Sequence, residues 1–272
     1  ITFFTGVPDS VLKKFSLGIQ NFKKKKHLIS TNEGSAVSIG IGYHLSTGKI
    51  PCVYLQNSGL SNAINPLISI ASREVYSIPI ILMIGWRGSP LTHDEPQHKA
   101  KGKITTKLLK LLKIDYCIIK KDSDLNKVSK LIKKSKKQKK VVAFLIEKGT
   151  LAINKKTIKK NDSKGILRHE FINYFLKTIP KKCKIISTTG FTSRELMEIR
   201  KKSKLMSGKD FYMVGGMGHS AAVAAGYTLH SNQKVFCLDG DGSILMHLGT
   251  LRTVGVIKKN NFKHIIFNNI SH

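Results

Sequence analysis

The sequence is poor in acidic side chains and in arginine. It has 16 Asp and Glu against 47 Lys and Arg, which gives a formal net charge of +31, yet only six of the basic residues are Arg. Bidentate recognition of bases and phosphates favours Arg, and the sequence has neither zinc-finger spacing nor an RNA-recognition aromatic motif. We therefore interpret the lysines as solvated surface and predict no nucleic-acid partner. A basic nucleic-acid-binding protein is kept as an alternative.

Cysteines and long apolar runs are also scarce. The four cysteines, Cys52, Cys117, Cys183 and Cys237, lie mostly in strand-like apolar segments without Cys-x-x-Cys spacing. We therefore expect buried free thiols in a reducing compartment. No apolar run reaches transmembrane length and no signal peptide is visible, which predicts a cytoplasmic protein without a membrane partner. The sequence lacks an initiating Met and stops three residues after Asn269, so we expect it to be part of a longer chain.

Strand-like and helix-like segments alternate along the chain, and 41% of its 272 residues are apolar. Short apolar runs alternating with helical periodicity predict an α/β fold with mainly parallel sheets flanked by helices. Residues 151–164 are polar and have little apolar periodicity. They are predicted to link a first domain, residues 1–150, to a second domain, residues 165–272, whose sheet we expect to be incomplete at its C-terminal end.

The C-terminal segment carries a candidate metal site. Two strand-like runs, 235–238 and 265–267, flank a segment in which apolar residues recur at helical spacing. Asp241 follows the first run and Asn269 follows the second. In a parallel sheet both would lie at the carboxyl edge, where open α/β sheets bind ligands. A carboxylate and an amide oxygen form an oxygen-only pair suited to Mg²⁺.

Two glycine-containing turns are candidate anion sites. Gly240 and Gly242 allow backbone N–H groups to approach an anion, and Ser243 opens a helix whose N-terminus favours negative charge. Gly190 lies in a Thr/Gly turn before another helix and forms a second possible anion cradle. Together with the metal-ligand pair, the first of these turns points to a metal-bridged diphosphate.

A competing pattern precedes this segment. Gly216, Gly218 and Ala221 fit the G-x-G-x-x-A form of a dinucleotide fingerprint. Asp239 ends the next strand about 20 residues later, where an acid would bind ribose. An NAD-dependent dehydrogenase is therefore an alternative enzyme class, although it leaves the predicted metal-ligand pair without a role.

The order of these motifs resembles a known signature. Gly240-Asp241-Gly242 followed by Asn268-Asn269 across one βαβ crossover resembles the pattern of thiamine-diphosphate enzymes. The resemblance implies two thiamine-diphosphate-binding-type domains, a pyrimidine-binding domain first and a diphosphate-binding domain second. It also implies thiamine diphosphate and Mg²⁺ as cofactors, with Asp241, Asn269 and the backbone carbonyl of Ser271 as metal ligands.

Four further residues take roles from the same resemblance. Gly190 would lie beside the diphosphate, Gly215 would offer its carbonyl to the cofactor's amino group, and Met217 would hold the cofactor bent. Glu33 precedes a Gly/Ala-rich helix and by position alone is typical of a first-turn helix acid. The resemblance implies that Glu33 hydrogen-bonds the pyrimidine ring nitrogen of a cofactor held by another subunit. We therefore expect a homodimer or a larger assembly with active sites at subunit interfaces.

Motifs in the first domain narrow the resemblance. They are Gly6-Val7-Pro8-Asp9-Ser10, Asn32-Glu33-Gly34, Tyr54-Leu55-Gln56-Asn57-Ser58-Gly59, Gly85-Trp86-Arg87-Gly88 and Asp94-Glu95-Pro96-Gln97-His98. Together they resemble the phosphonopyruvate decarboxylase family and are similar to the related sulfopyruvate decarboxylases. The resemblance implies a carboxy-lyase of phosphonate biosynthesis, which converts 3-phosphonopyruvate to 2-phosphonoacetaldehyde and CO₂. A sulfopyruvate decarboxylase is the alternative within the same class.

A small anionic 2-oxo acid needs cationic and hydrogen-bonding groups, and four residues are candidates for this task. Arg87 and Ser10 are predicted to bind the substrate, and His98 and Asp9 are predicted catalytic residues. Asp9 is a candidate proton shuttle, although its position is equally typical of a helix N-cap. The lysine-rich surface would raise the encounter rate with an anion. A basic binding protein with a vestigial cofactor fold is the non-enzyme alternative.

Overall fold

A computed structural model describes residues 1–90, 94–121, 124–152, 165–203, 209–257 and 259–269. The chain forms two compact units, unit 1 (Ile1–Thr157) and unit 2 (Ile158–His272). The predicted linker, 151–164, falls almost entirely outside the described residues. Within the described residues, no helix combines the length and the apolar character that crossing a membrane requires.

Unit 1 is built on a sheet of six parallel strands in the order β2-β1-β3-β4-β6-β5. The strands are β1 (Phe4–Gly6), β2 (His27–Ile29), β3 (Cys52–Gln56), β4 (Ile81–Trp86), β5 (Asp115–Ile119) and β6 (Val142–Glu147). The helices are α1 (Lys13–Ile19), α2 (Glu33–Thr47), α3 (Leu60–Pro66), α4 (Pro96–Leu111) and α5 (Leu125–Gln138).

The sheet of unit 1 is covered on both faces, which explains why the sequence of β4 is almost continuously apolar. Side chains alternate between the two faces along each strand. In β3, Val53 and Leu55 belong to one core cluster, whereas Cys52 and Tyr54 belong to the other. Because all six strands are parallel, their carboxyl ends lie at the same edge of the sheet. The polar residues that follow the strands therefore lie at this edge as well.

Unit 2 has a smaller parallel sheet in the order β10-β9-β7-β8. The strands are β7 (Cys183–Ser187), β8 (Phe211–Tyr212), β9 (Lys234–Gly240) and β10 (Phe262–Phe267). The helices are α6 (Arg168–Thr178), α7 (Phe191–Ser203), α8 (Ser220–Leu229), α9 (Asp241–Met246) and α10 (Thr250–Gly255). The predicted fold class, two parallel sheets flanked by helices, is therefore confirmed.

The segment between β9 and β10 differs from its prediction. The apolar spacing predicts one helix, but the structure has two short helices, α9 and α10, separated at 247–249. His247 leaves the helical region, with φ −136° and ψ 54°, and Gly249 precedes the new helix. Glycine inside a helix costs about 1 kcal/mol relative to alanine, so this position favours a break.

All four cysteines are free thiols, as their spacing predicts. Cys52, Cys183 and Cys237 are buried, and Cys117 is half-buried.

Candidate active site

The predicted metal-ligand pair lies at the carboxyl edge of the sheet in unit 2. Phe267 pairs with Gly240 in the register of β10 and β9, so Asp241 and Asn269 follow the ends of neighbouring strands. The backbone N–H of Asn269 donates to Asp241 Oδ2 at 3.2 Å. The structure thus brings these two residues together. The third predicted ligand, Ser271, lies outside the described residues.

The Asp241 carboxylate is oriented without losing its capacity to bind a cation. Its Oδ1 accepts the N–H of Gly242 at 2.8 Å, and its Oδ2 accepts the N–H of Asn269. An ionised carboxylate oxygen can accept a second interaction, so both oxygens remain potential ligands. A carboxylate beside an amide-bearing residue is a hard, oxygen-based donor set of the kind that Mg²⁺ prefers.

The backbone is open where a diphosphate is expected. A Cβ at Gly190 or at Gly240 would meet no atom within 4 Å. Gly190 has a left-handed φ of 87° and stands directly before α7. The first N–H groups of α7 have no partner within the helix and point towards this turn, which favours an anion there. The residues at this edge therefore fit a diphosphate bridged by a hard cation.

Ser243 holds two loops of this edge together. The residue is buried, and its hydroxyl lies 2.9 Å from Thr188 Oγ1 and accepts the N–H of Gly218 at 3.0 Å. Gly218 has φ 92°, and a Cβ there would lie 2.6 Å from His247 Cδ2. The predicted helix start at Ser243 is wrong, since α9 begins at Asp241. The Ser243 side chain is thus part of the frame beneath the edge.

The loop after β8 presents Gly215 and Met217. Met217 is 39% exposed. A core methionine would be buried, so Met217 is accessible to a bound molecule. Gly215 lies two residues earlier in the same loop.

Asp239 is oriented away from the role that a dehydrogenase would require. It is 1% exposed, its Oδ1 accepts the N–H of Gly240, and its Oδ2 lies 3.3 Å from His264 Nε2. Burial acts to raise the pKa of this carboxyl, but hydrogen bonds from His264 and neighbouring groups hold it below its usual range. A carboxylate enclosed in this way cannot reach the hydroxyls of a ribose, which removes the main support for a dehydrogenase.

In unit 1, Glu33 is the first residue of α2 and is buried. Asn62 Nδ2 donates to Glu33 Oε2 at 2.9 Å. A Cβ on Gly59 would lie 2.0 Å from Glu33 Oε1, so the glycine makes room for the carboxylate. Glu33 is therefore a first-turn helix acid by position, but unlike a solvated acid it is packed against Gly59 and the first turn of α3.

Asp9 follows β1 and receives three hydrogen bonds. Its Oδ2 accepts the N–H groups of Val11 and Leu12 at 2.9 and 3.1 Å, and its Oδ1 accepts the side-chain amide of Gln56. Burial raises the pKa of the Asp9 carboxyl, and these hydrogen bonds partly oppose the rise. Asp9 thus caps the turn before α1, and its raised pKa makes the carboxyl easier to protonate than that of an ordinary aspartate, which suits a proton-exchanging group.

Arg87 follows β4 and is fixed from two sides. Its Nε and Nη2 donate to the two carboxylate oxygens of Asp94 at 2.7 and 2.6 Å, and its Nη1 donates to Ser10 Oγ at 3.1 Å. Asn57 accepts the N–H of Arg87 and donates to its carbonyl. The hydrogen bond to Asp94 raises the pKa of Arg87 and lowers the pKa of Asp94. The two predicted substrate-binding residues, Arg87 and Ser10, are therefore in contact.

His98 lies in the first turn of α4. Its Nδ1 is buried without a hydrogen-bond partner in the part of the chain that the structure describes. Burial, together with the positive charge of Arg87, holds the pKa of His98 below its ordinary value. A neutral imidazole can act as a proton acceptor towards a bound molecule.

Three amide side chains, at the end of β3 and in the turn and helix that follow it, support the predicted site residues of unit 1, and reasoning from the residues did not assign them roles. Gln56 bonds to Asp9, Asn57 bonds to Arg87, and Asn62 bonds to Glu33. The sequence contains one signal that could have identified these residues. Amide-bearing residues are concentrated at the end of a buried strand and just after it, where polar side chains of neighbouring segments meet.

Comparison with known proteins gives two family matches. Residues 1–109 match the family described as "Thiamine pyrophosphate enzyme, N-terminal TPP binding domain". Residues 187–272 match "Thiamine pyrophosphate enzyme, C-terminal TPP binding domain". Thiamine pyrophosphate is another name for thiamine diphosphate.

Three curated proteins are similar to this chain. The phosphonopyruvate decarboxylase of Streptomyces viridochromogenes is 32% identical, with 100% of this chain and 71% of the relative aligned. The enzyme of the same name from Streptomyces hygroscopicus is 31% identical, with 100% of this chain and 70% of the relative aligned. The sulfopyruvate decarboxylase subunit beta of Methanocaldococcus jannaschii is 33% identical over 39% of this chain and 53% of its own length.

Proposed function

The chain belongs to the phosphonopyruvate decarboxylase family of thiamine-diphosphate-dependent enzymes, and from this premise we propose that it releases CO₂ from 3-phosphonopyruvate in a Mg²⁺-dependent reaction that leaves 2-phosphonoacetaldehyde. The observation that carries the proposal is the Asp241 and Asn269 pair. It stands at the carboxyl edge of a sheet whose sequence matches a cofactor-binding domain.

Unit 2 is proposed to hold the cofactor. When bound, thiamine diphosphate supplies the electron sink that decarboxylation of a 2-oxo acid needs. Asp241, Asn269 and the carbonyl of Ser271 are the proposed ligands of Mg²⁺. The remaining proposed cofactor contacts are Gly190, Gly215, Met217, Gly240, Gly242 and Ser243.

Unit 1 is proposed to supply the proton-transfer and substrate-binding groups. Glu33 would share a proton with the cofactor's pyrimidine ring, which is supported by its burial beside Asn62. Asp9 and His98 would move protons at the substrate, in line with a raised pKa for the acid and a lowered pKa for the base. Arg87 Nη1, with Ser10 Oγ beside it, would donate to the second anionic group of the substrate.

We propose that the active enzyme is a homodimer or a larger assembly, in which Glu33 of one subunit serves a cofactor held by unit 2 of another. Large apolar side chains stand exposed near the carboxyl edge of unit 2. Phe191 is 68% exposed and Val214 is 64% exposed. Burial in a subunit interface would remove this apolar surface from water.

Direct measurement of CO₂ release tests the substrate proposal. Full-length protein with thiamine diphosphate and Mg²⁺ is given phosphonopyruvate, sulfopyruvate and pyruvate in parallel. We expect the highest kcat/KM for phosphonopyruvate. A higher value for sulfopyruvate would favour the alternative substrate, to which the similarity with a sulfopyruvate decarboxylase subunit points. No release from any of the three would contradict the proposed activity.

Arg87→Lys is expected to lower kcat/KM for phosphonopyruvate by roughly 10- to 100-fold, a loss of about 1.4 to 2.7 kcal/mol in the transition state. A lysine ammonium cannot reproduce the planar fork that bonds Asp94 and Ser10 simultaneously. Activity on pyruvate, which has no second anionic group, should change much less.

The matched control is Arg200→Lys. Arg200 donates through Nε and Nη2 to the two carboxylate oxygens of Asp210, so the substitution breaks the same kind of pair in unit 2. We expect it to lower stability without changing the ratio of the two activities. Equal losses on phosphonopyruvate and pyruvate in Arg87→Lys would show that Arg87 serves the shared 2-oxo acid group or the fold.

A further inference from the structure

A second group of potential metal ligands lies inside unit 2. Cys237 and Asp239 are two residues apart on β9, so their side chains are on the same face of the sheet. His264 is the register partner of Cys237 on β10. Ala221 and Ala224 of α8 pack with Cys237 in one core cluster. The three side chains are therefore enclosed between the sheet and α8.

The donor atoms of this cluster are close enough to converge on a single cation after small side-chain movements. The Cys237 thiol, one carboxylate oxygen of Asp239 and one imidazole nitrogen of His264 all lie within 4.8 Å of one another. The N–H of Gly240 holds Asp239 Oδ1 at 3.0 Å, and Asp239 Oδ2 lies 3.3 Å from His264 Nε2. A backbone donor that orients the carboxylate in this way is a common feature around metal ligands.

Ser220 adds a fourth polar atom. Ser220 is fully buried at the start of α8. Its hydroxyl hydrogen-bonds to Cys237 and Asp239 and so opposes the rise in pKa that burial imposes on both groups. A hydroxyl oxygen beside the cluster can act as a further donor to a cation.

We propose that Cys237, Asp239 and His264 form a binding site for a zinc-class divalent cation, with Ser220 Oγ or a water as the fourth donor. Sulfur, nitrogen and oxygen donors in one tetrahedral set are typical of Zn²⁺, whereas Mg²⁺ takes oxygen ligands alone. The site is thus chemically distinct from the proposed Mg²⁺ site at Asp241. Burial raises the pKa of the Cys237 thiol, and a coordinating divalent cation removes the proton of a thiol outright.

Cobalt titration tests this site. Co²⁺ replaces Zn²⁺ in such sites and gives an ultraviolet charge-transfer band when a thiolate coordinates it. Full-length protein is first saturated with Mg²⁺ and thiamine diphosphate and is then titrated with Co²⁺. We expect the charge-transfer band to saturate at one equivalent and to disappear when Zn²⁺ is added.

Variants assign the band to its ligands. Cys237→Ser should lose it, and His264→Gln should weaken Co²⁺ binding by at least about 10-fold. Cys183→Ser is the matched control, because Cys183 is also a buried strand thiol of unit 2 but is outside the cluster, and it should keep the band. Asp241→Ala should keep it as well, which separates this site from the proposed Mg²⁺ site.

Two results would overturn the proposal. One is the absence of a thiolate band in the unsubstituted protein, which would leave Asp239 and His264 as a structural hydrogen bond between β9 and β10. The other is an unchanged Co²⁺ affinity in His264→Gln. This second variant keeps the proposal testable even if Cys237→Ser fails to fold, since His264 is on the outermost strand of the described sheet.

Discussion

Replacing Asp241 with alanine is expected to abolish Mg²⁺-dependent binding of thiamine diphosphate. Asp241 is the only charged residue among the proposed Mg²⁺ ligands, and it stands beside Asn269 at the strand ends. The melting temperature is measured with and without thiamine diphosphate plus Mg²⁺, and the shift between the two conditions is compared. A ligand at 100 times its Kd stabilises the native state by about 2.7 kcal/mol, and we expect the variant to lose this whole increment.

The control for Asp241→Ala is Glu198→Ala. Glu198 is an exposed carboxylate of α7 that pairs with Lys202 at 3.3 Å, so its loss changes the charge of the same unit equally. It should leave the cofactor-induced shift intact. Asp241→Ala also removes an acid from the first turn of a helix, which costs roughly 0.3 to 1 kcal/mol, so the shift and not the absolute melting temperature is compared. Normal saturation of Asp241→Ala by the cofactor would contradict the metal-site assignment.

Glu33→Gln is expected to retain the cofactor and to lower kcat by about 100-fold or more. A carboxamide keeps the shape of the side chain but cannot exchange the proton, and general acid–base groups contribute about 10²- to 10⁴-fold to enzyme rates. The measurements are CO₂ release at saturating substrate and the cofactor-induced melting shift. Near-normal turnover would exclude the proposed role of Glu33.

Gly59→Ala tests the same role without changing Glu33. The new Cβ would lie 2.0 Å from Glu33 Oε1, so the carboxylate must move. The backbone of Gly59 has φ −87°, which alanine adopts without strain, so the effect is expected on kcat. Gly42→Ala is the control, because a Cβ at Gly42 within α2 meets nothing within 4 Å. It should raise stability by up to about 1 kcal/mol and leave turnover unchanged.

The sequence predicts the structure most reliably where a local pattern of strands and helices determines it. The βαβ pattern of the C-terminal segment places Asp241 and Asn269 at one edge, because parallel strands joined by a crossover end on the same side. The break between α9 and α10 was missed, since apolar spacing continues through 247–249 while the backbone does not.

The supporting polar contacts could not be predicted from the sequence. Asn62 lies 29 positions from Glu33, and Asn57 lies 30 positions from Arg87. Such pairs depend on how the segments that follow different strands meet, which no local pattern encodes. Arg87 is the clearest case. Its residue type and its position after a strand predict a cationic group that binds the substrate. Only the structure shows that two of its three guanidinium nitrogens donate hydrogen bonds to Asp94.

In the proposed substrate site, the Arg87 and Asp94 pair would separate capture of the substrate from its recognition. The pair has no net charge, so Arg87 would offer a directed N–H group, and long-range attraction of an anion would be left to the lysine-rich surface. At 0.1 M ionic strength, exposed charges are screened beyond about 10 Å, whereas contacts inside a desolvated site are screened much less. Changes in salinity would therefore alter how often the substrate arrives, and they would leave the choice between competing substrates almost untouched.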